Sequence, residues 1–117
     1  MGIENRQSTR FPEFGKVVCP ELCALPGILD NISSTGCKVH FPISVVVDLE
    51  TEYMLKISLS RSIEEEPLSL MCHPIWVSEK SGSTEMGFGI LYSPDDNRLR
   101  EIINELESAH DDTLDIV

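Results

Sequence analysis

The chain has 117 residues, 41% of them hydrophobic and 25% charged, and a formal net charge of −11. That length fits one domain with a real core and leaves no room for two, and no apolar run, Val45-Val46-Val47 included, is long enough to cross a membrane. The acidic balance argues against a general nucleic-acid binder, which needs a basic surface to displace counterions.

In chain order, residues 1–15 read as a flexible amino-terminal arm, with a polar run from Glu4 to Arg10 and with Phe11 and Phe14 placed to pin its base. The first residues hold an acid and no apolar stretch, so no signal peptide is expected and the cytoplasm is the default compartment. From Lys16 onward, short apolar runs alternate with turn residues, the mark of an antiparallel β domain. Lys16 to Cys19 is a first strand. Leu22 to Ile32 is a second, which Pro26-Gly27 should bulge or hold at an edge. Gly36 to Ile43 is a third. Glu52 to Ser60 is a fourth, where Tyr53, Leu55, Ile57 and Leu59 alternate with outward positions. Leu68 to Lys80 is a long strand whose register Pro74 should shift. Ser81-Gly82-Ser83 turns it into a last strand, Glu85 to Tyr92, and the two read as a hairpin.

The period then changes. Ser93 as N-cap, Pro94 at the first helical position and Asp95-Asp96 in the first turn begin a helix. Leu99, Ile102, Ile103 and Leu106 follow at helical spacing, so one face must pack on the β body. Asp111 to Val117 reads as an acidic tail. The expected fold is mainly β: roughly five to seven antiparallel strands closed into a small barrel, with a carboxy-terminal amphipathic helix.

Cys19, Cys23, Cys37 and Cys72 read as buried thiols filling small core positions. Cys19-x-x-x-Cys23 with Cys37-x-x-His40 offers a zinc-binding alternative. Against it, Cys37 and His40 are an odd number of positions apart on a predicted strand and should face opposite ways. His40, His73 and His110 lie in different elements, and Gly87-Phe88-Gly89 is not followed by the helix start of a phosphate loop. Neither an enzyme nor a cofactor is expected.

Two stretches remain. Asp30-Asn31-Ile32-Ser33-Ser34-Thr35-Gly36-Cys37 is a turn between two strands, with Gly36 as the residue able to take a positive φ. It offers a carboxamide at Asn31, a hydroxyl at Ser33 and open backbone at Gly36, groups suited to the edge of a flat polar ligand. Arg6-Gln7-Ser8-Thr9-Arg10 sets two guanidiniums four positions apart on the arm, each able to pair with phosphate oxygens, to match a guanine edge or to stack on a purine.

Taken together, Arg6-x-x-x-Arg10 and Asn31-x-Ser33-x-x-Gly36 resemble the two-part signature of the PilZ domain, the bacterial receptor module for cyclic di-GMP. The likeness extends over residues 6–108, through a strand ending near Trp76, the Gly87-to-Tyr92 strand and the closing helix. The resemblance implies a six-stranded antiparallel PilZ-type barrel over residues 16–110, an arm over 1–15 and a tail over 111–117. It also implies cyclic di-GMP as ligand. Arg6 and Arg10 would clasp it, and Asn31, Ser33 and Gly36 would form the barrel-side wall against a guanine. Many family members carry Asp where Asn31 stands. The function so implied is a receptor that orders its arm on binding and presents a surface to an unidentified downstream protein, with no nucleic-acid polymer and no membrane insertion. A PilZ module that binds no nucleotide is the neighbouring alternative, and the chain does not say which process, motility or virulence among them, would be controlled.

Overall fold

The computed structural model describes residues 11–60 and 65–116, with side chains to residue 108. Strand formation follows the two-residue alternation. In β4 (Tyr53–Leu59) the side chains of Tyr53, Leu55, Ile57 and Leu59 are all buried, while Met54, Lys56 and Ser58 face outward. The other strands are β1 (Phe11–Cys19), β2 (Cys23–Ile32), β3 (Gly36–Phe41), β5 (Leu68–Lys80) and β6 (Ser83–Tyr92), and the alternation shapes them too except where β2 and β5 bulge. All neighbours are antiparallel and the order β1-β2-β3-β6-β5-β4 closes on itself, β4 pairing back to β1. Closure leaves one interior, filled by Val17, Leu29, Ile32, Val39, Phe41 and Phe88 among others, each fully buried.

Several strand ends differ from expectation, and β3 stops at Phe41 rather than Ile43. β1 begins at Phe11 rather than Lys16, because Phe11 is buried and pairs with Ile32; Phe14 is exposed and pins nothing. Pro26-Gly27 sits at a bulge, as expected, within a strand that runs on through it: the β1–β2 pairing passes from Val17 and Gly27 to Cys19 and Cys23, two steps on β1 against four on β2. Gly27 sits against the Phe41 ring, where a Cβ would come within 2.7 Å of Cε1, so the glycine lets the aromatic fill the core beneath it. The hairpin turn is tighter than Ser81-Gly82-Ser83: Lys80 pairs with Ser83, and Ser81 (φ 51°) and Gly82 (φ 84°) are its two left-handed residues.

The connection from β3 to β4 folds back onto the barrel. Val45 and Val47 pack on the core, and the buried Thr84 hydroxyl ties the connection down, accepting from Val45 N (2.9 Å) and donating to Ile43 O (3.0 Å). Asp48 shapes the turn that follows: its carboxylate accepts from Glu50 N (2.9 Å) and the Thr51 hydroxyl (2.8 Å).

The helix α1 (Asp96–Ile116) runs on through the segment expected to be a tail. Its first bond, Leu99 N to Asp95 O at 3.0 Å, makes Asp95 the cap residue rather than Ser93. Ser93 and Asp95 instead staple the helix start to β5: the Ser93 hydroxyl donates to Ser69 O and accepts from Asp95 N, and the Asp95 carboxylate accepts from Ser69 N at 2.8 Å. Leu99, Ile102, Ile103 and Leu106 are buried against the barrel, as their spacing requires.

Candidate functional site

The turn from β2 to β3 is built around one hydroxyl. Ser33 is 1% exposed, and its Oγ accepts from Gly36 N (3.1 Å) and Thr35 N (3.2 Å) while lying 3.2 Å from Gly36 O, to which it can donate. Ser33 N also donates to Gly36 O at 2.8 Å, and Ile90 N donates to Thr35 O at 2.8 Å, fastening the turn to β6. Gly36 is buried, begins β3 opposite Gly89, and does not have a positive φ. The expectation of a left-handed glycine here is corrected. The serine side chain supplies the acceptor that reverses the chain, so no left-handed residue is needed.

Just before the turn the alternation of β2 breaks. Leu29 and Ile32 both point inward and are fully buried, with two residues between them instead of one. Against β3, Leu29 pairs with Val39 and Asn31 with Lys38, so Asp30 is the extra residue of a β-bulge. Asp30 and Asn31 are both left half-buried on the outer wall. The Asp30 carboxylate takes a hydrogen bond from His40 Nδ1, 2.9 Å from Oδ1 and 3.0 Å from Oδ2. Asn31 lines a groove of about 170 Å³ with Lys38, Trp76 and Gly87.

The opposite side of that groove has the same construction. β5 shifts register between Pro74 and Trp76, so Ile75 is extra and both Ile75 and Trp76 lie outside the barrel. The indole rests on Gly87: a Cβ there would come 2.7 Å from Cε2 and 2.9 Å from Cδ1, and Trp76 is still 39% exposed. Among the described residues Lys38 makes a loose 3.8 Å pair with Glu85, both about a third exposed. An amide, an ammonium and an open indole face therefore converge on one small space. That set can hydrogen-bond a polar ring edge, meet a negative charge and stack on a flat ring.

Of the residues singled out from sequence, Asn31, Ser33 and Gly36 share this turn, but only Asn31 faces the groove. Ser33 and Gly36 are its scaffold. Arg6 and Arg10 lie outside the described residues. Pro12 is the ladder neighbour of Asn31, so β1 enters the barrel beside the groove. Trp76, Lys38 and Gly87 were not selected as site residues. The signals that mark them are a glycine opposite an aromatic and a proline-linked break in period. The possible zinc ligands Cys19, Cys23, Cys37 and His40 do not converge: Cys37 is inside the barrel and His40 outside on Asp30, and no cluster of three or more metal-binding side chains forms among the described residues. The thiols are buried and free. The adjacent Cys37 thiol, and then burial, push the Cys72 thiol far up, and burial raises Cys19.

A closed barrel with a polar groove on its wall and a helix packed on its core is the build of a small recognition domain. The model of the PilZ domain matches residues 4–108, and the chain belongs to that family. Solved structures agree on the fold. The inhibitor of motility MotI/DgrA of Bacillus subtilis superposes with a TM-score of 0.69 at 14% identity, over 90% of this chain and 50% of that one. The PilZ domain of Escherichia coli YcgR with c-di-GMP gives 0.66 at 16% identity, over 96% and 98%. YcgR in complex with c-di-GMP gives 0.65 at 18% identity, over 94% and 49%. The chain thus spans about half the length of MotI and of the longer YcgR chain. No curated protein matches it.

Proposed function

We propose that this domain is a cyclic di-GMP receptor that acts by binding rather than catalysis. The observation that supports the reading most is Asn31, carried by the β2 bulge onto the outer wall and facing Lys38 and the open face of Trp76. A guanine laid on the indole would bring its polar edge to the Asn31 carboxamide, and Lys38 would meet a phosphate or the O6/N7 edge. Ser33 and Gly36 take part by fixing the turn that aims Asn31. Arg6 and Arg10 supply the remaining charge, pairing with the phosphates from the chain that leads into β1. Asn31 in place of Asp keeps the hydrogen-bonding shape and gives up the charge.

Binding then orders residues 4–10, the stretch ahead of β1, across the groove and presents a new surface to a downstream protein. The acidic surface leaves anion recognition to this local set of cations. Calorimetric titration with cyclic di-GMP tests the ligand: specific heat is expected, abolished by Arg10→Ala and not reproduced by GTP or cyclic AMP. No heat at about tens of micromolar protein, a concentration well suited to micromolar affinity, would sink the assignment. Slower amide exchange across residues 4–10 on adding ligand tests the ordering step; unchanged exchange means a preformed site.

A further inference from the structure

We infer that Asp30 and His40 form a register lock that decides which side chain of the β2 bulge faces the groove. The inference rests on the groove being the base-binding wall, but its structural half stands without any ligand. A bulge puts two consecutive residues on one side of a strand and leaves the ladder locally unpaired, so either of them can be aimed. Here the two are chemically opposed: Asp30 brings a negative charge, Asn31 a neutral donor and acceptor. Leu29 and Ile32, both fully buried, fix the ends of the bulge but do not choose between the pair.

The choice is made across the β2–β3 ladder. His40 is the partner of Ile28, one step back from the bulge, and its Nδ1 sits within 3.0 Å of both Asp30 oxygens. An ionised carboxylate can only accept, so Nδ1 carries the proton. The bond turns Asp30 toward His40, away from Lys38. Asn31, the partner of Lys38, is left to line the groove with Trp76 and Gly87. Without the lock, the carboxylate is free to swing toward the Lys38 ammonium, placing a negative charge where an anionic ligand must come. Asp30 and His40 are positioning residues: they act through Asn31.

The test compares His40→Leu, which removes the donor, with His40→Asn, whose amide nitrogen stands where Nδ1 stood. Both changes are on the half-exposed outer wall, and thermal melts confirm that each variant is folded. In ¹⁵N–¹H spectra of the ligand-free protein, the Asn31 side-chain amide and the Trp76 indole N–H are expected to shift in His40→Leu and to return toward wild type in His40→Asn. The Gly82 amide, at the hairpin tip, serves as the unmoved control. Cyclic di-GMP affinity should fall about tenfold in His40→Leu, the scale of one charge-assisted hydrogen bond, and stay within about threefold in His40→Asn. Unmoved Asn31 and Trp76 signals in His40→Leu, or equal loss of affinity in both variants, would overturn the lock. If the wild-type protein does not bind cyclic di-GMP, the receptor reading fails, while the ligand-free spectra still decide the lock.

Discussion

Ser33→Ala separates the two parts a serine can play in this turn. If the hydroxyl is scaffold, its loss is felt before any ligand is added. The Ser33 Oγ is the side-chain acceptor for Gly36 N at 3.1 Å and Thr35 N at 3.2 Å, and Ser33 is 1% exposed, so water does not readily replace it. Leaving a buried donor unsatisfied costs about 1–3 kcal/mol. The Gly36 bond is buried and the Thr35 bond only partly so, which puts the expected loss near 2 kcal/mol. For a domain of this size that lowers the melting temperature by about 10 °C, and with a urea slope of about 1–2 kcal/mol/M it moves the midpoint down by about 1–2 M. Urea unfolding followed by the single tryptophan measures it. Affinity should fall as well, because Asn31 loses its mount. Unchanged stability combined with lost affinity would refute the reasoning and make the hydroxyl a direct ligand contact.

Three further outcomes follow from other parts of the fold. Gly87→Ala should push the Trp76 indole off β6, since the new Cβ would lie 2.7 Å from Cε2; a red-shifted emission and a loss of about 1–3 kcal/mol are expected, and unchanged emission would mean the ring is not seated there. The four cysteines, all buried, should resist a thiol reagent in the folded protein and react together on unfolding. The raised Cys72 and Cys19 thiols add a sign: their folded values lie above the ordinary 9.0, so their contribution to stability is full below that pH and declines as pH rises past it, which alkaline urea titrations check. Asp48, with its carboxylate held by Glu50 N and the Thr51 hydroxyl, titrates below the ordinary 3.8. Its contribution is present above that value and lost as pH falls below it through the folded value. Carbon-detected titration should show Asp48 ionising at lower pH than a free aspartate, and Thr51→Ala, which removes one of its two donors, should narrow the difference.

The fold was legible where one force dominated. β4 and α1 have a single buried face each, and the periods of two and of 3.6 residues show it directly. β5 was legible to its end residues because Leu68 to Lys80 is bounded by turn chemistry on both sides. Phe11 was harder. Its burial depends on pairing with Ile32, a partner 21 positions away (32 minus 11), and nothing local marks the strand start. The helix cap was misplaced by two residues because Ser93 and Asp95 are both good caps, and Ser69 on β5 decides between them. The Ser33 hydroxyl was visible as a polar group but not its direction, since a serine that reads a ligand and one that closes a turn look the same in sequence.

The groove shows what kind of sequence signal was passed over. A closed barrel gives every strand one inward and one outward row, so two neighbouring side chains share the outer wall only where the alternation fails. It fails in β2 between Leu29 and Ile32, and in β5 between Pro74 and Val77, and the two bulges flank the same space. In the sequence these are Asp-Asn, held between the buried Leu29 and Ile32, and Ile-Trp, which follows the buried Pro74 and precedes a Val77 that is itself exposed. Read for strand quality, they look like a turn entrance and a proline disturbance. Read as paired faults in a period that is otherwise kept, they identify Asn31 and Trp76 together. A bulge strains the ladder and leaves a residue unpaired. Two of them flank one groove, one hydrogen-bonded to His40 and the other seated on Gly87, and the departures from ideal pairing therefore belong to the outer wall and the proposed site rather than to the core.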